Sequence, residues 1–240
     1  ASNNFGYSNT FIGKSSGLRN TYGFSNVFMG TAAGYSNIDG DANVFIGNQS
    51  GKANTSGNNN VFLGADAGLK NTEGNSNVFI GLQSGKSNIS GENNVFLGTM
   101  SGNTNQGGSV NVFLGDNSGR FNTNGHANVF LGSYCGYSNT TGSNNNFIGS
   151  TAGYNSTIGV NNIFIGNVSG YNDSTGSNNV FLGYQTGYNN NGNFNIMMGD
   201  AAGYNNTSGQ YNIFMGYESG NQNTDGSSNT FLGFNAGRNY

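Results

Sequence analysis

Few side chains here could do acid–base, nucleophilic or metal chemistry. The one histidine, His126, lies between Gly125 and Ala127 in a variable stretch and reads as a solvated side chain. Cys135 could supply a thiolate nucleophile. It stands where other segments carry Ser or Ala, with no partner histidine implied, so it reads as a small buried residue. A single cysteine forms no internal disulfide and leaves the redox compartment open. The acidic residues Asp39, Asp41, Asp66, Glu73, Glu92, Asp116, Asp173, Asp200, Glu218 and Asp225 share no single column of the repeat described below. A repeated carboxylate pair or calcium ladder is therefore not expected, and the G-G-x-G-x-D pattern of calcium-binding solenoids is missing. The expectation is a protein that is not an enzyme and takes no cofactor or metal.

The 7 basic and 10 acidic residues leave a net charge of −3, and charged residues make up 7% of the chain, against about a quarter in ordinary proteins. No basic stripe is apparent along the sequence, so nucleic acid is not an expected partner. No apolar run approaches the ~18 residues of a membrane span. The 240 residues include 49 Asn and 43 Gly, with no Pro or Trp. Such polarity suggests disorder, but disordered chains lack aromatics, and 18 Phe and 13 Tyr are present. Something periodic must order them.

The order lies in a repeat. An aromatic anchor recurs at Phe11, Phe28, Phe45, Phe62, Phe79, Phe96, Phe113, Phe130, Phe147, Phe164, Phe181, Met197, Phe214 and Phe231. Twelve of the 13 intervals are 17 residues; Phe181 to Met197 is 16, one residue short just before Gly192. Asn stands two before each anchor, as in Asn26, Asn43, Asn60, Asn77, Asn94, Asn111, Asn128, Asn145, Asn162 and Asn179. Ile, Leu or Met follows each anchor, Gly stands two and six after it and five before it, and a small residue precedes the second Gly. Gly at three fixed places per unit would ruin helices, and collagen needs Gly every third residue. A β-solenoid fits: all-β, about 14 coils of 17 residues, residues 1–240 as one continuous solenoid without separate caps. Identical residues then stack ~4.8 Å apart, and the Asn column forms side-chain ladders that satisfy buried polar groups. The short interval predicts a tightened corner, with the following strand still in register.

Side chains alternate across a strand, so in N-V-F-L-G the Val and Leu face one way and Phe the other. Both faces are apolar, and a coil this thin buries one of them. The expectation is aliphatics inside, Leu114 among them, opposed to Ala and Ser. The Phe column (Phe28, Phe45, Phe62, Phe79, Phe96, Phe113, Phe130, Phe147, Phe164, Phe181) then faces out as a self-association stripe larger than a soluble monomer tolerates. The alternative is a wider coil that swallows Phe. Ala1 and Tyr240 fall mid-repeat, which suggests either a segment of a longer array or coils that stack end to end.

The V-F-[IL]-G-x-x-[SA] motif, from Asn9-Thr10-Phe11-Ile12-Gly13 to Asn229-Thr230-Phe231-Leu232-Gly233, resembles the head repeats of trimeric autotransporter adhesins. Those are 14-residue coils with a V-A-[IL]-G-x-x-S core in a trimeric left-handed β-roll. It is also similar to Asn/Gly repeats of bacterial surface and phage tail-fibre-like proteins. The resemblance implies a β-roll at the cell surface or outside the cell. Two further columns bear on function. Thr21, Thr55, Thr72, Thr123, Thr140, Thr157, Thr207 and Thr224 form one rank, interrupted at Ile38, Ile89 and Gln106, of a kind that can order water on ice-binding surfaces. Tyr35, Tyr137, Tyr154, Tyr171, Tyr188 and Tyr204 share a column with Lys52, Lys86, Arg120 and Arg238 and could meet a glycan. The leading expectation is a subunit of a self-assembling extracellular or cell-surface fibre, a homo-oligomer or filament. An adhesin head binding a host or glycan surface is the runner-up, and ice binding the third.

Overall fold

Among the described residues a three-residue strand is the only regular element in each repeat, and stacking alone makes it a sheet. The computed structural model describes residues 5–238. The first seven strands are β1 (Thr10–Ile12), β2 (Val27–Met29), β3 (Val44–Ile46), β4 (Val61–Leu63), β5 (Val78–Ile80), β6 (Val95–Leu97) and β7 (Val112–Leu114). The second seven are β8 (Val129–Leu131), β9 (Asn146–Ile148), β10 (Ile163–Ile165), β11 (Val180–Leu182), β12 (Ile196–Met198), β13 (Ile213–Met215) and β14 (Thr230–Leu232). The chain is an all-β solenoid of 17-residue coils, and within each of two units its strands pair parallel in sequence order. It divides between Asn124 and Gly125 into two compact units of seven strands each.

Register follows the repeat. Val27 pairs with Val44, Phe28 with Phe45 and Met29 with Ile46, and the same pattern recurs at β5–β6 and β10–β11. The shortened interval is absorbed as expected: Phe181 pairs with Met197 and Leu182 with Met198. The corner tightens, because Asn190 Nδ2 reaches the Gly192 carbonyl two residues on, where Asn206 reaches three on to Gly209. Coils also bond outside the strands; Gly34, Ser36 and Ile38 each donate their N–H to a carbonyl of the next coil at 2.9–3.0 Å.

The interior is aromatic, which corrects the expected inside-out assignment. Phe28, Phe45, Phe62, Phe79, Phe96, Phe113, Phe130, Phe147, Phe164 and Phe181 are all 0% exposed. Their carbonyl-side neighbours in the strands are half-buried or exposed, Leu114 among them. The rings lie flat on one another. From Phe11 to Phe113 successive centroids are 4.8–5.1 Å apart with planes within 9°. Stacked this way a ring occupies one rung's height and extends across the coil, so a thin interior holds one ring per coil. The opposite wall makes the room. Gly34 sits against the face of Phe28, and a Cβ there would stand 2.5 Å from the ring carbons; its φ of +57° also suits glycine. The small residue before it, Ala33 or Ser50, is fully buried as well. The sequence carried a signal for this: the column before Phe admits Thr10, Asn146 and Thr230, whereas the Phe column admits only Phe and Met. Met197 fills its rung at 0% exposure, a flexible substitute in the coil that follows the shortened corner.

Backbone strain is spread over two columns of ordinary residues. The fourth residue after each anchor and the third before it have φ near +55° whatever their type, as at Gln49, Met100, Tyr134 and Asn59. Val110 and Val168, at φ of 61° and 63°, are the costliest of these, because left-handed backbone crowds a branched Cβ.

Two stability measurements follow. In chemical denaturation followed by circular dichroism, Phe96→Ala should cost about 3–5 kcal/mol, whereas Val95→Thr, on the outer face, should cost less than ~1 kcal/mol. Val168→Asn should raise stability by about 1 kcal/mol, read as a higher midpoint in the same assay.

Candidate functional site: polar ladders and outer faces

Outside the aromatic core, the groups that repeat are polar, and the first question is which of them the coil consumes. The anticipated Asn ladder is present and buried: Asn26, Asn43, Asn60, Asn77, Asn94, Asn111, Asn128, Asn145, Asn162 and Asn179 are 0% exposed. Within each unit Oδ1 accepts the backbone N–H of the next Asn in the column, as Asn26 Oδ1 does from Asn43 at 2.9 Å. Nδ2 donates to a glycine carbonyl, as Asn43 does to Gly57 and Asn145 to Gly159, both at 2.8 Å. Amide-to-amide bonds are longer, 3.1–3.2 Å from Asn60 to Asn43 and from Asn77 to Asn60. This ladder therefore mainly fixes the chain's entry into each strand.

A second and tighter Asn ladder runs through Asn20, Asn37, Asn54, Asn71, Asn88, Asn105 and Asn122. Here Nδ2 donates directly to the Oδ1 one coil back at 2.7–2.8 Å and also to the glycine carbonyl three residues on. In sequence these residues showed only as the Asn before the Thr column, with nothing to mark them as buried. A third column caps backbone: Asp41, Asn58 and Asn75 each accept the N–H of the residue one coil back at 2.7–2.9 Å.

The tight ladder has one interruption, Ser156 followed by Asp173, both fully buried. Ser156 Oγ has no hydrogen-bond partner. Asp173 accepts from the Gly176 N–H at 2.7 Å, Asn190 Nδ2 at 3.0 Å and Asn179 Nδ2 at 3.2 Å. These donors favour the carboxylate, but no cation pairs with it, and burial prevails, pushing its pKa up to about 7.

The other candidates are spent on structure or spread apart. Cys135 is buried and donates to the Phe147 carbonyl at 3.3 Å, as Ser50 and Ser101 do to Phe62 and Phe113. Burial pushes its thiol up, away from the reactive thiolate. His126 is exposed, and its backbone N–H donates to Ser143 Oγ. The Thr hydroxyls turn inward on the backbone: Thr55, Thr72, Thr140, Thr157 and Thr207 each donate to a carbonyl of the next coil at 2.8–3.2 Å. Tyr137, Tyr154, Tyr171, Tyr188 and Tyr204 form a half-exposed stack with centroids 4.8–5.1 Å apart. Their faces cover one another, so outward they offer edges and hydroxyls. Beside them Asn155, Asn172 and Asn189 form an amide row at 2.8–2.9 Å. Among the described residues no cavity opens and no three His, Cys, Asp or Glu side chains gather as metal ligands. No helix is long and apolar enough to cross a membrane.

What remains on the outside is the other strand face. The residues flanking each Phe form two aliphatic columns, half-buried at Val27, Val44, Val61 and Val78, and exposed at Met29, Ile46, Leu97 and Ile165. The stripe expected of Phe is therefore present, but is built of Val, Ile, Leu and Met. Compared with protein-family models, curated proteins and solved structures, the chain matches none.

Asp173 gives the fold a pH dependence of definite sign. Its native pKa, about 7, lies above the unfolded value of about 3.9, so the native state holds the extra proton between those values. Stability is then greatest below about pH 4, falls as pH rises through 7, and levels off above. Asp173→Asn should continue the ladder, match the parent near pH 4 and exceed it at pH 8 by on the order of 2–4 kcal/mol, measured as denaturation midpoints across pH.

Proposed function

We propose that the chain is a structural subunit of an extracellular or cell-surface fibre, associating with copies of itself through the aliphatic face of its parallel strands. The observation that carries this reading is that face: two columns that are apolar on every coil except for Thr10, Asn146 and Thr230, with Ile46 38% and Ile165 40% exposed. Seven strands ~4.8 Å apart and ~10 Å across give each unit about 300 Å² of such face. Each unit's face laid on its counterpart buries about 600 Å² for the pair, and with two units per chain the separate contacts together reach about 1,200 Å², the lower end of stable interfaces. Rows recurring at one rung spacing meet a partner at every rung only if the partner has the same spacing. A second copy has it by construction, and two flat sheet faces pack at ~10 Å. Such a contact is isologous and closes on two chains.

The internal chemistry fits a structural role. Ladder side chains spend their hydrogen-bonding capacity on neighbouring coils, which yields rigidity and leaves little to present to a ligand. The similarity of the strand motif to surface-fibre repeats supports placement outside the cell. For the runner-up, glycan binding, the Tyr stack offers ring edges where sugar stacking wants faces; for ice binding, the Thr hydroxyls are already engaged.

The test is sedimentation velocity on purified protein in the micromolar range. The parent should sediment as a dimer or larger. Ile46→Lys with Leu97→Lys, both on the exposed face, should keep the circular dichroism spectrum and weaken self-association at least 100-fold. A parent that stays monomeric, or a double variant that assembles unchanged, would refute this reading.

A further inference from the structure

Charge is sparse in this chain but sorted. In the first unit the basic residues are Lys14, Arg19, Lys52, Lys70, Lys86 and Arg120. All except Lys14 fall seven or eight residues after an anchor Phe, in two adjacent columns, so stacking gathers them along one edge. The alignment is not apparent along the sequence, because the members lie 16 to 34 residues apart. Of the acidic residues of that unit, Asp39 and Glu73 fall eleven after an anchor, and Asp41 and Glu92 thirteen after, beside Gly40, Gly74 and Gly91. They form a second edge. Within this edge Asp41 accepts the Phe24 N–H at 2.9 Å and Glu92 accepts from Asn75 Nδ2 at 2.8 Å, each through one carboxylate oxygen; of the remaining two acids, Asp66 pairs with Lys86 at 3.5 Å and Asp116 accepts from Asn117 at 2.8 Å. Arg19, Lys70, Asp39, Glu73 and Glu92 are exposed, and Lys52, Lys86, Arg120 and Asp41 half-exposed.

The two edges match along the stack. Lys70 and Glu73 belong to the coil of Phe62, and Lys86 and Glu92 to that of Phe79. Asp39 and Asp41 belong to the coil of Phe28, one rung from Arg19 on one side and from Lys52 on the other. A rung is ~4.8 Å, within the reach of a Lys or Arg side chain.

We propose that these edges form a lateral contact between parallel copies of this chain, the Arg19–Lys52–Lys70–Lys86 edge of one against the Asp39–Asp41–Glu73–Glu92 edge of the next. The inference rests on the self-association proposed above and deepens it. The aliphatic contact is isologous and stops at two chains. The charged contact is heterologous: each copy keeps one free edge of each sign, so it propagates. Paired chains thereby become a fibre or layer of many. Opposed charges at matching levels set register and orientation more than affinity, and exposed pairs weaken with salt. The other occupant such a basic edge could take is a soluble polyanion. The first unit carries six acidic residues against its six basic ones, and the chain as a whole is −3, so long-range attraction for a polyanion is weak, whereas the chain supplies its own complement.

The experiment compares sedimentation and light scattering in 20 mM and 500 mM salt for the parent, Lys70→Glu/Lys86→Glu, Glu73→Lys/Glu92→Lys, and the variant carrying all four changes. All sites are exposed or half-exposed, and circular dichroism checks that each variant folds. The parent should form species larger than a dimer at low salt and lose them at high salt. Each double variant should reduce those species at least tenfold while keeping the dimer, and the fourfold variant should restore them, because both edges are exchanged together. Failure of the fourfold variant to restore, or assembly unchanged in either double variant, overturns the proposal. So does loss in the Lys variant alone, accompanied by parent protein binding heparin, which marks a polyanion site. A parent that stops at the dimer at both salts sinks the charged contact but leaves the aliphatic one standing; a parent monomeric throughout sinks both.

Discussion

Every residue in this solenoid must be compatible with its own counterpart stacked ~4.8 Å above and below it, the distance set by parallel strand pairing. That one spacing selects the side chains. Flat rings satisfy it, and the Phe column stacks at 4.8–5.1 Å in the first unit. Primary amides satisfy it because each offers an acceptor on one side and donors on the other, which lets Asn37, Asn54 and Asn71 bond in a row. Charged residues do not satisfy it, since like charges one rung apart repel. Hence the low charge content, and the tendency of Lys and Arg to shift between two neighbouring columns.

The same spacing explains how strain is tolerated. The corners must turn within three or four residues, and the stacked backbone demands left-handed φ at two columns irrespective of side chain. Residues such as Met100, Tyr134 and Val168 accept it because each coil is held by carbonyls of its neighbours on both sides. A cost of about 1 kcal/mol at one corner is small beside the burial of a Phe, worth about 1.5–3 kcal/mol. Asp173 is the instructive exception: an acid in an amide ladder, kept neutral or ionised by ambient pH, because its donors and its desolvation pull in opposite directions.

Interior and exterior therefore answer to different rules. The inside is fixed by stacking and varies little; Met197 is the one change in the Phe column. The outside carries what distinguishes the chain: aliphatic columns beside Phe, a Tyr stack from Tyr137 to Tyr204, and charges sorted onto two edges. The self-association proposed above would draw on these outer columns, which contribute least to the fold.

The sequence alone determined the repeat, the solenoid class, the strand position, the register through the shortened coil and the buried Asn column from Asn26 to Asn179. All of these follow from translational symmetry, which periodic spacing records directly. It did not determine which face of Val-Phe-Leu lies inside, because alternation gives two equivalent choices and both faces are apolar; the room that Gly34 leaves beside Phe28 decided it. Nor did it mark Asn37 and Asn54 as the tighter ladder, or Gln49 and Val168 as left-handed. Those properties depend on where a side chain points within the closed coil and on what the neighbouring coils demand of the backbone, and only the tertiary structure sets both.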